Sequence, residues 1–306
     1  MPFAIILFIT IMKKFKIILL ITLLSFTFIP RLFAEIDEDS EFLQKSTIKN
    51  VLKNELSERG AWGLRQGVWF LKKGESYAEI YSKYYWHNRQ FDSNGDKHRW
   101  GYGGKGHEKE TELKLEHGLT DKHTLMVSFN FKDAYWEDDY KKSATSGFVY
   151  ARPGLKYLLF EKPYLAYLQL KVKLPFGFDE HETPSIGTHQ IDAEIKLMTA
   201  QSWPKLHGYT KLEFGFRERY EEPTNEIPYF AQFAYNISDN ILLELSLDGQ
   251  EGLGEAGKVA EDWAKFTIGP VFRIGLLNLK FGYGITLFGK NTTAAEEFYS
   301  AIYGWF

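Results

Sequence analysis

Residues 109–132 read KETELKLEHGLTDKHTLMVSFNFK. In the first half, Thr111, Leu113 and Leu115 alternate with Glu110, Glu112, Lys114 and Glu116. In the second, Leu125, Val127, Phe129 and Phe131 alternate with Thr124, Ser128, Asn130 and Lys132. Period two puts each set on one face of an extended strand. The LTDK turn at 119–122 makes the two strands a hairpin. One face is apolar, and the other is charged rather than merely polar.

The same pattern recurs along the chain. It predicts strands at 75–86, 109–117, 123–132, near 147–159, 164–174, 189–199, 206–217, near 228–236, 241–248, 264–274, 277–288 and 296–306. A soluble sheet also alternates, but its inner face is a packed core, and lysines and glutamates cannot fill a core unpaired. Apolar residues against lipid and charges around a wet interior resolve the conflict, and this is the pattern of a transmembrane β-barrel. Closure is then required, because lipid tolerates no open sheet edge. The connections agree. Long ones (87–108, 133–146, 175–188, 218–227, 249–263, 289–295) alternate with tight ones (119–122, 160–163, 202–205, 237–240, 275–276), as extracellular loops alternate with periplasmic turns. The expected architecture is all-β, a 12-stranded antiparallel transmembrane barrel over 74–306, with ten and fourteen strands as the neighbouring counts. Tyr84, Tyr85, Trp86, Trp100, Tyr102, Tyr135, Trp203, Tyr220, Trp263, Tyr303 and Trp305 suit the membrane interfaces.

The ends fit an exported protein. From Met12 the chain has basic Lys13, Lys14 and Lys16, an apolar run over 17–29, and Ala34 at a cleavage position, so 1–34 reads as a signal peptide with Met12 as an alternative start. A transmembrane helix over 2–30, broken by those lysines, is the competing reading. Cleavage would remove three lysines and Arg31 and no acid, taking the net charge of −3 four units further negative. That argues against a nucleic-acid partner. There is no cysteine, so no disulfide scaffold is available. Residues 35–73 read as a periplasmic segment, with one short amphipathic helix or a disordered leader at 35–60 and a Trp- and Gly-rich stretch at 61–73 that plugs or lines the barrel mouth. Phe306 gives the last strand the aromatic end by which barrel-assembly machinery recognises its clients.

Chemistry beyond the wall is sparse. His117, His123, His181, His189 and His207 are scattered, with no metal-ligand spacing. Ser128 and Ser246 have no histidine in register, so a hydrolase is the least supported reading. FDSNGD (91–96) resembles a calcium-loop fragment, but the twelfth position from Asp92 is Gly103, and a calcium loop needs glutamate there; an Asn-Gly turn is preferred. Asp179, Glu180, Glu182 and the run EEPTNE at 221–226 read as loop charge, with divalent cations bridging lipopolysaccharide as the alternative. No cofactor or metal is implied. The functional candidates are the midstrand lumen charges Glu112, Lys114, Lys171, Lys173, Asp192, Glu194, Lys211 and Glu213. They set the selectivity of a pore, or they only pair and hold shape.

Several segments resemble a known family: GAWGLRQGVWFLKKGESYAEIYSKYY (60–85), FDSNGD (91–96), EHGLTDKHTL (116–125), LQLKVKLPFG (168–177), GTHQIDAEIKL (187–197), HGYTKLEFGFRER (207–219) and EIPY (226–229). In order and spacing they are similar to XagA-like outer-membrane barrels, also named as transporters of the phenol-degradation pathway. The resemblance spans 60–306 and implies a 12-stranded barrel passing small, often hydrophobic, molecules. Residues 35–59 have no counterpart in it. The expected function is passive passage through the outer membrane. A structural or surface-interaction barrel with a salt-bridged lumen is the alternative, with lipid, lipopolysaccharide and a small-molecule cargo as partners.

Overall fold

The computed structural model describes residues 70–175, 182–220, 224–254, 258–275 and 277–306. The signal-peptide and helix readings for 1–60, and Asp179, Glu180 and His181, lie outside them.

Fifteen strands occur among the described residues, and twelve close into one antiparallel barrel. These are β1 (Ser76–His87), β4 (Lys105–Thr120), β5 (His123–Glu137), β6 (Lys142–Phe160), β7 (Leu165–Pro175), β8 (Asp192–Trp203), β9 (Gly208–Arg219), β10 (Glu226–Ser238), β11 (Ile241–Gly252), β12 (Asp262–Ile274), β13 (Leu277–Lys290) and β15 (Glu296–Trp305). Each pairs with its neighbour in sequence. The seam joins β1 to β15, with Ile80 opposite Ile302, and Phe306 exchanges backbone hydrogen bonds of 3.0 Å with Ser76. The three short strands β2 (Arg89–Phe91), β3 (Lys97–Arg99) and β14 (Thr292–Thr293) form a separate sheet that ties the first long loop to the last.

The alternating pattern governs orientation as expected. Outside the wall, Ile80, Leu113, Leu125, Leu170, Ile195, Phe281 and Ile302 all stand exposed. An exposed apolar girdle of this extent would aggregate in water and is stable only against acyl chains. The hairpin that decided the sequence reading has Leu113 opposite Phe129 and Leu115 opposite Val127 on the lipid face.

Three details differ from the sequence reading. The second long connection is much shorter than 133–146, because β5 and β6 run on to Glu137 and Lys142; beyond the hydrocarbon both faces meet water and the apolar period fades. Strand β8 begins at Asp192 rather than 189. In the run 164–174 the apolar period sets Ala166 on one face with Leu168 and Leu170, yet it is only 1 % exposed, beside the β6–β7 register slip between Leu158 and Phe160.

At the end with the tight turns an apolar cluster crosses the interior. Tyr77, Tyr167, Met198, Tyr209, Leu242, Val271 and Tyr303 converge from around the wall. Leu71, which precedes β1, fills the centre and is 1 % exposed, with Phe70 packed alongside. Leu71 N–H donates to Thr124 Oγ1 at 3.3 Å, and that hydroxyl donates back to the Leu71 carbonyl at 3.2 Å. The chain reaches this position by crossing β4 at Gly118, where a Cβ would lie 1.9 Å from the Lys72 carbonyl oxygen. Only glycine permits that approach. Of the stretch 61–73, Phe70 and Leu71 thus pack into the interior at the end with the tight turns, and 61–69 lie outside the described residues.

Candidate functional site

Above this apolar septum the lumen is lined by ionised side chains. All eight candidates from the sequence face inward. Lys114 Nζ reaches Glu116 at 2.9 Å, and Lys156 reaches the same carboxylate at 2.6 Å. Lys171 pairs with Glu194 at 2.8 Å, and Lys173 with Asp192 at 3.2 Å. Lys211 pairs with Glu213 at 2.6 Å. Glu112 accepts a hydrogen bond from the Tyr150 hydroxyl at 3.2 Å. The strand register brings these groups together, since Lys171 lies opposite Glu194, and Glu194 opposite Arg217.

Glu194 is the hub. It also meets Arg217 Nη2 at 2.6 Å and Lys196 at 3.6 Å, and Arg217 continues to Glu226 at 2.8 Å. Lys196 bridges on to Glu213 at 3.3 Å. Cross-strand pairs of opposite sign thus form a band over β7–β10. Elsewhere Lys83 holds Glu110 at 3.0 Å and Lys280 holds Glu244 at 2.6 Å. Taking so many charges from water is tolerable only because most of them meet a counter-charge.

Arg152, Lys156, Arg219, Glu226 and Glu297 also enter the lumen but were absent from the sequence-derived set. Arg152 and Lys156 had a signal, because they alternate with lipid-facing Leu155 and Tyr157 on β6. The β6–β7 pairing is interrupted between Ala151 and Gly154, around Pro153, and proline and glycine blur strand patterns.

A cavity of about 260 Å³ occupies the middle of the lumen. Glu79, Glu112, Lys114, Arg152, Lys171, Lys211 and Glu213 form its wall, while Tyr77, Tyr167, Met198 and Tyr303 belong both to its lining and to the septum below. At the end with the long loops, part of the described segment 182–191 packs inward. Ile186, 2 % exposed, packs with Ala134 and Val149, and Thr188 Oγ1 accepts from Lys173 Nζ at 2.7 Å. The apolar cluster is therefore the floor of the chamber.

The remaining motifs lie apart from the paired charges. Asp92 Oδ1 accepts the backbone N–H groups of Asn94 (2.8 Å) and Asp96 (3.0 Å), and Oδ2 lies 3.1 Å from His98 Nε2. FDSNGD is thus the capped turn of the β2–β3 hairpin, with Gly95 at φ +89°. The Asp96 and Asn94 amides hold the Asp92 carboxyl below its ordinary range, the Asp96 bond contributing most. Ser128 faces the lumen, and Ser246 Oγ lies 2.5 Å from Thr267 Oγ1. The serine beside a histidine is Ser76, 2.9 Å from His117 Nδ1 at the periplasmic rim.

No family model matches the chain, and no curated protein matches it. Among solved structures it is similar to the COG4313 outer membrane channel from Pseudomonas putida F1, with a TM-score of 0.63 and 16 % identity, covering 77 % of this chain and 97 % of that one. More distant are the translocator domain of autotransporter NalP from Neisseria meningitidis (TM-score 0.44, 9 % identity, 84 % of this chain and 97 % of that one) and a TodX monoaromatic hydrocarbon channel mutant (0.41, 7 %, 77 % and 90 %). The first likeness is one of fold. With the apolar girdle and the closed wall, it assigns the chain to the outer membrane as a 12-stranded β-barrel.

Proposed function

We propose that this barrel passes small molecules passively through its lumen, and that it belongs with the XagA-like barrels its motifs resemble. One observation carries the reading: a chamber of about 260 Å³ with a charged wall, open above an apolar septum. A lumen that served only to hold shape would be filled by its own side chains, as in small barrels. The likeness to a protein described as an outer membrane channel supports the same conclusion. No energy source is needed. The wall charges act as an electrostatic filter, and the apolar septum must yield for a solute to cross.

The structural-barrel reading has an observation in its favour, the near-complete pairing of the lumen charges. Planar-bilayer recording separates the two. The passage reading expects current from the full chain, increased when Phe70 and Leu71 are both replaced by serine. Absence of current from both proteins, together with no solute flux in liposomes, leaves the structural barrel. An outer-membrane hydrolase would instead cleave ester or lipid in the same preparation and be blocked by a serine-reactive inhibitor.

The remaining partners belong to this proposal. The lipid-facing wall meets acyl chains, the long loops meet lipopolysaccharide, and the strand ending at Phe306 is the address for the barrel-assembly machinery. Residues 1–34 are its export signal.

A further inference from the structure

The chamber wall holds one cation that the ion-pair network leaves out. The Arg152 side chain projects from β6 into the cavity, and neither an ion pair nor a side-chain hydrogen bond joins it to a described residue. Its guanidinium carbon lies 4.3 Å from the centroid of the Tyr150 ring. The acids nearby are engaged: Glu112 by the Tyr150 hydroxyl, and Glu194 by Lys171, Lys196 and Arg217. A stacked guanidinium keeps its planar fork of donors free at the edge, which matches the two oxygens of a carboxylate. Stacking on Tyr150 also limits its freedom, so little is lost on binding.

The floor of the same chamber is of the opposite character. Tyr77, Met198 and Tyr303 present rings and a thioether, and Phe230 stands on the wall. Tyr167 is fully buried there, and its hydroxyl has no hydrogen-bond partner among the described residues. Two polar side chains lining one cavity thus lack a hydrogen-bond partner among the described residues: half-buried Arg152, and buried Tyr167, a kind of group that is seldom left so. The volume admits an organic molecule of modest size rather than a bare ion.

We infer that the chamber is a binding site for small organic monocarboxylates with an apolar or aromatic body, held by Arg152 at the carboxylate end. The inference rests on the passage reading for the biological sense of the site, which would then be a station on the path. The charge of the ligand is set by Arg152, because every other cation on that wall already has a carboxylate partner. An uncharged molecule of the same shape gains only the aromatic floor.

The test uses the full chain in nanodiscs, with 4-fluorobenzoate and its neutral analogue 4-fluorobenzamide followed by fluorine NMR. Fluorobenzoate should bind at least about tenfold more tightly than fluorobenzamide, the size expected of a charge-assisted pair. Arg152→Gln should abolish that preference while leaving the fluorobenzamide affinity unchanged, and Arg152→Lys should restore part of it. Equal affinities in the wild type, or an undiminished preference in a folded Arg152→Gln protein, would overturn the inference. If Arg152→Gln does not fold, salt dependence of the wild type decides: fluorobenzoate affinity should fall on going from low to high chloride, and a salt-independent preference sinks the site. Liposome flux is scored separately. Discrimination in binding without flux removes the passage reading and keeps the site, whereas current without discrimination removes the site alone.

Discussion

Replacing Gly118 with alanine tests the septum at the point where the structure is least forgiving. The new Cβ would sit 1.9 Å from the Lys72 carbonyl oxygen and 2.7 Å from its carbon. Both are backbone atoms, so no rotamer change relieves the overlap. The segment can accommodate the alanine only by lifting off β4, which withdraws Leu71 from the cluster and breaks its two hydrogen bonds to Thr124. Losing the burial of one leucine costs about 2 kcal/mol, and the two hydrogen bonds cost about 1 kcal/mol each. Together these disfavour the docked segment by about 4 kcal/mol, which corresponds to roughly a thousandfold change in its docked-to-undocked ratio. Two assays report it. Trypsin should cleave after Lys72 or Lys73 in the folded variant far faster than in the wild type, and planar bilayers should show larger or more frequent openings. A folded Gly118→Ala protein with wild-type protease resistance and wild-type current would refute the argument that the Gly118 crossing fixes the septum. Serine at Gly118 should behave alike, since the clash begins at Cβ.

Other perturbations probe the wall and the loops. Glu194→Gln strips Lys171, Lys196 and Arg217 of a shared partner; because the pairs border a wet chamber, the cost should fall below that of a dry pair, at about 2 kcal/mol. Denaturant unfolding from lipid should register it, and the reversal potential in a salt gradient should move toward anion preference; an unmoved potential in a conducting protein would count against a filtering role. On the opposite face, Leu170→Arg places a charge on the lipid side of β7 and should cost about 2–4 kcal/mol in equilibrium folding into bilayers if it lies near the midplane. A neutral result would mean that this face does not meet hydrocarbon. At the β2–β3 turn the Asp92 carboxyl is lowered, chiefly by the Asp96 amide. A depressed carboxylate stabilises the fold above its unfolded value and stops doing so as pH falls through the folded one. Amide protection at Asn94 and Asp96 should therefore hold near pH 5 and fade below about pH 4. In Asp92→Ala it should be lost at both, and pH-independent protection would contradict the capping role.

The sequence determined the wall. Alternation at period two is a local property of an extended chain, so KETELKLEH and HTLMVSFNFK already carried the choice between lipid and lumen. The strict ordering of charged and apolar faces left closure in a membrane as the solution. All eight midstrand charges chosen from the sequence face inward for that reason. Where local cues weakened, the reading weakened with them. Arg152 and Lys156 lie on a strand whose pattern is blurred by Pro153 and Gly154, and β5 and β6 continue past the membrane, where no apolar period is required.

Only the tertiary structure decided which charges meet, because pairing depends on register and shear around a closed ring. Glu194 became a hub, and Arg152 was left outside the ion pairs, through the offset of strands far apart in sequence. Composition shows both signs in similar numbers and cannot say which one is in excess at a given point. The septum is of the same kind. Leu71 and Gly118 look unremarkable in one dimension and become the closure of the barrel only when β4 passes beneath Lys72.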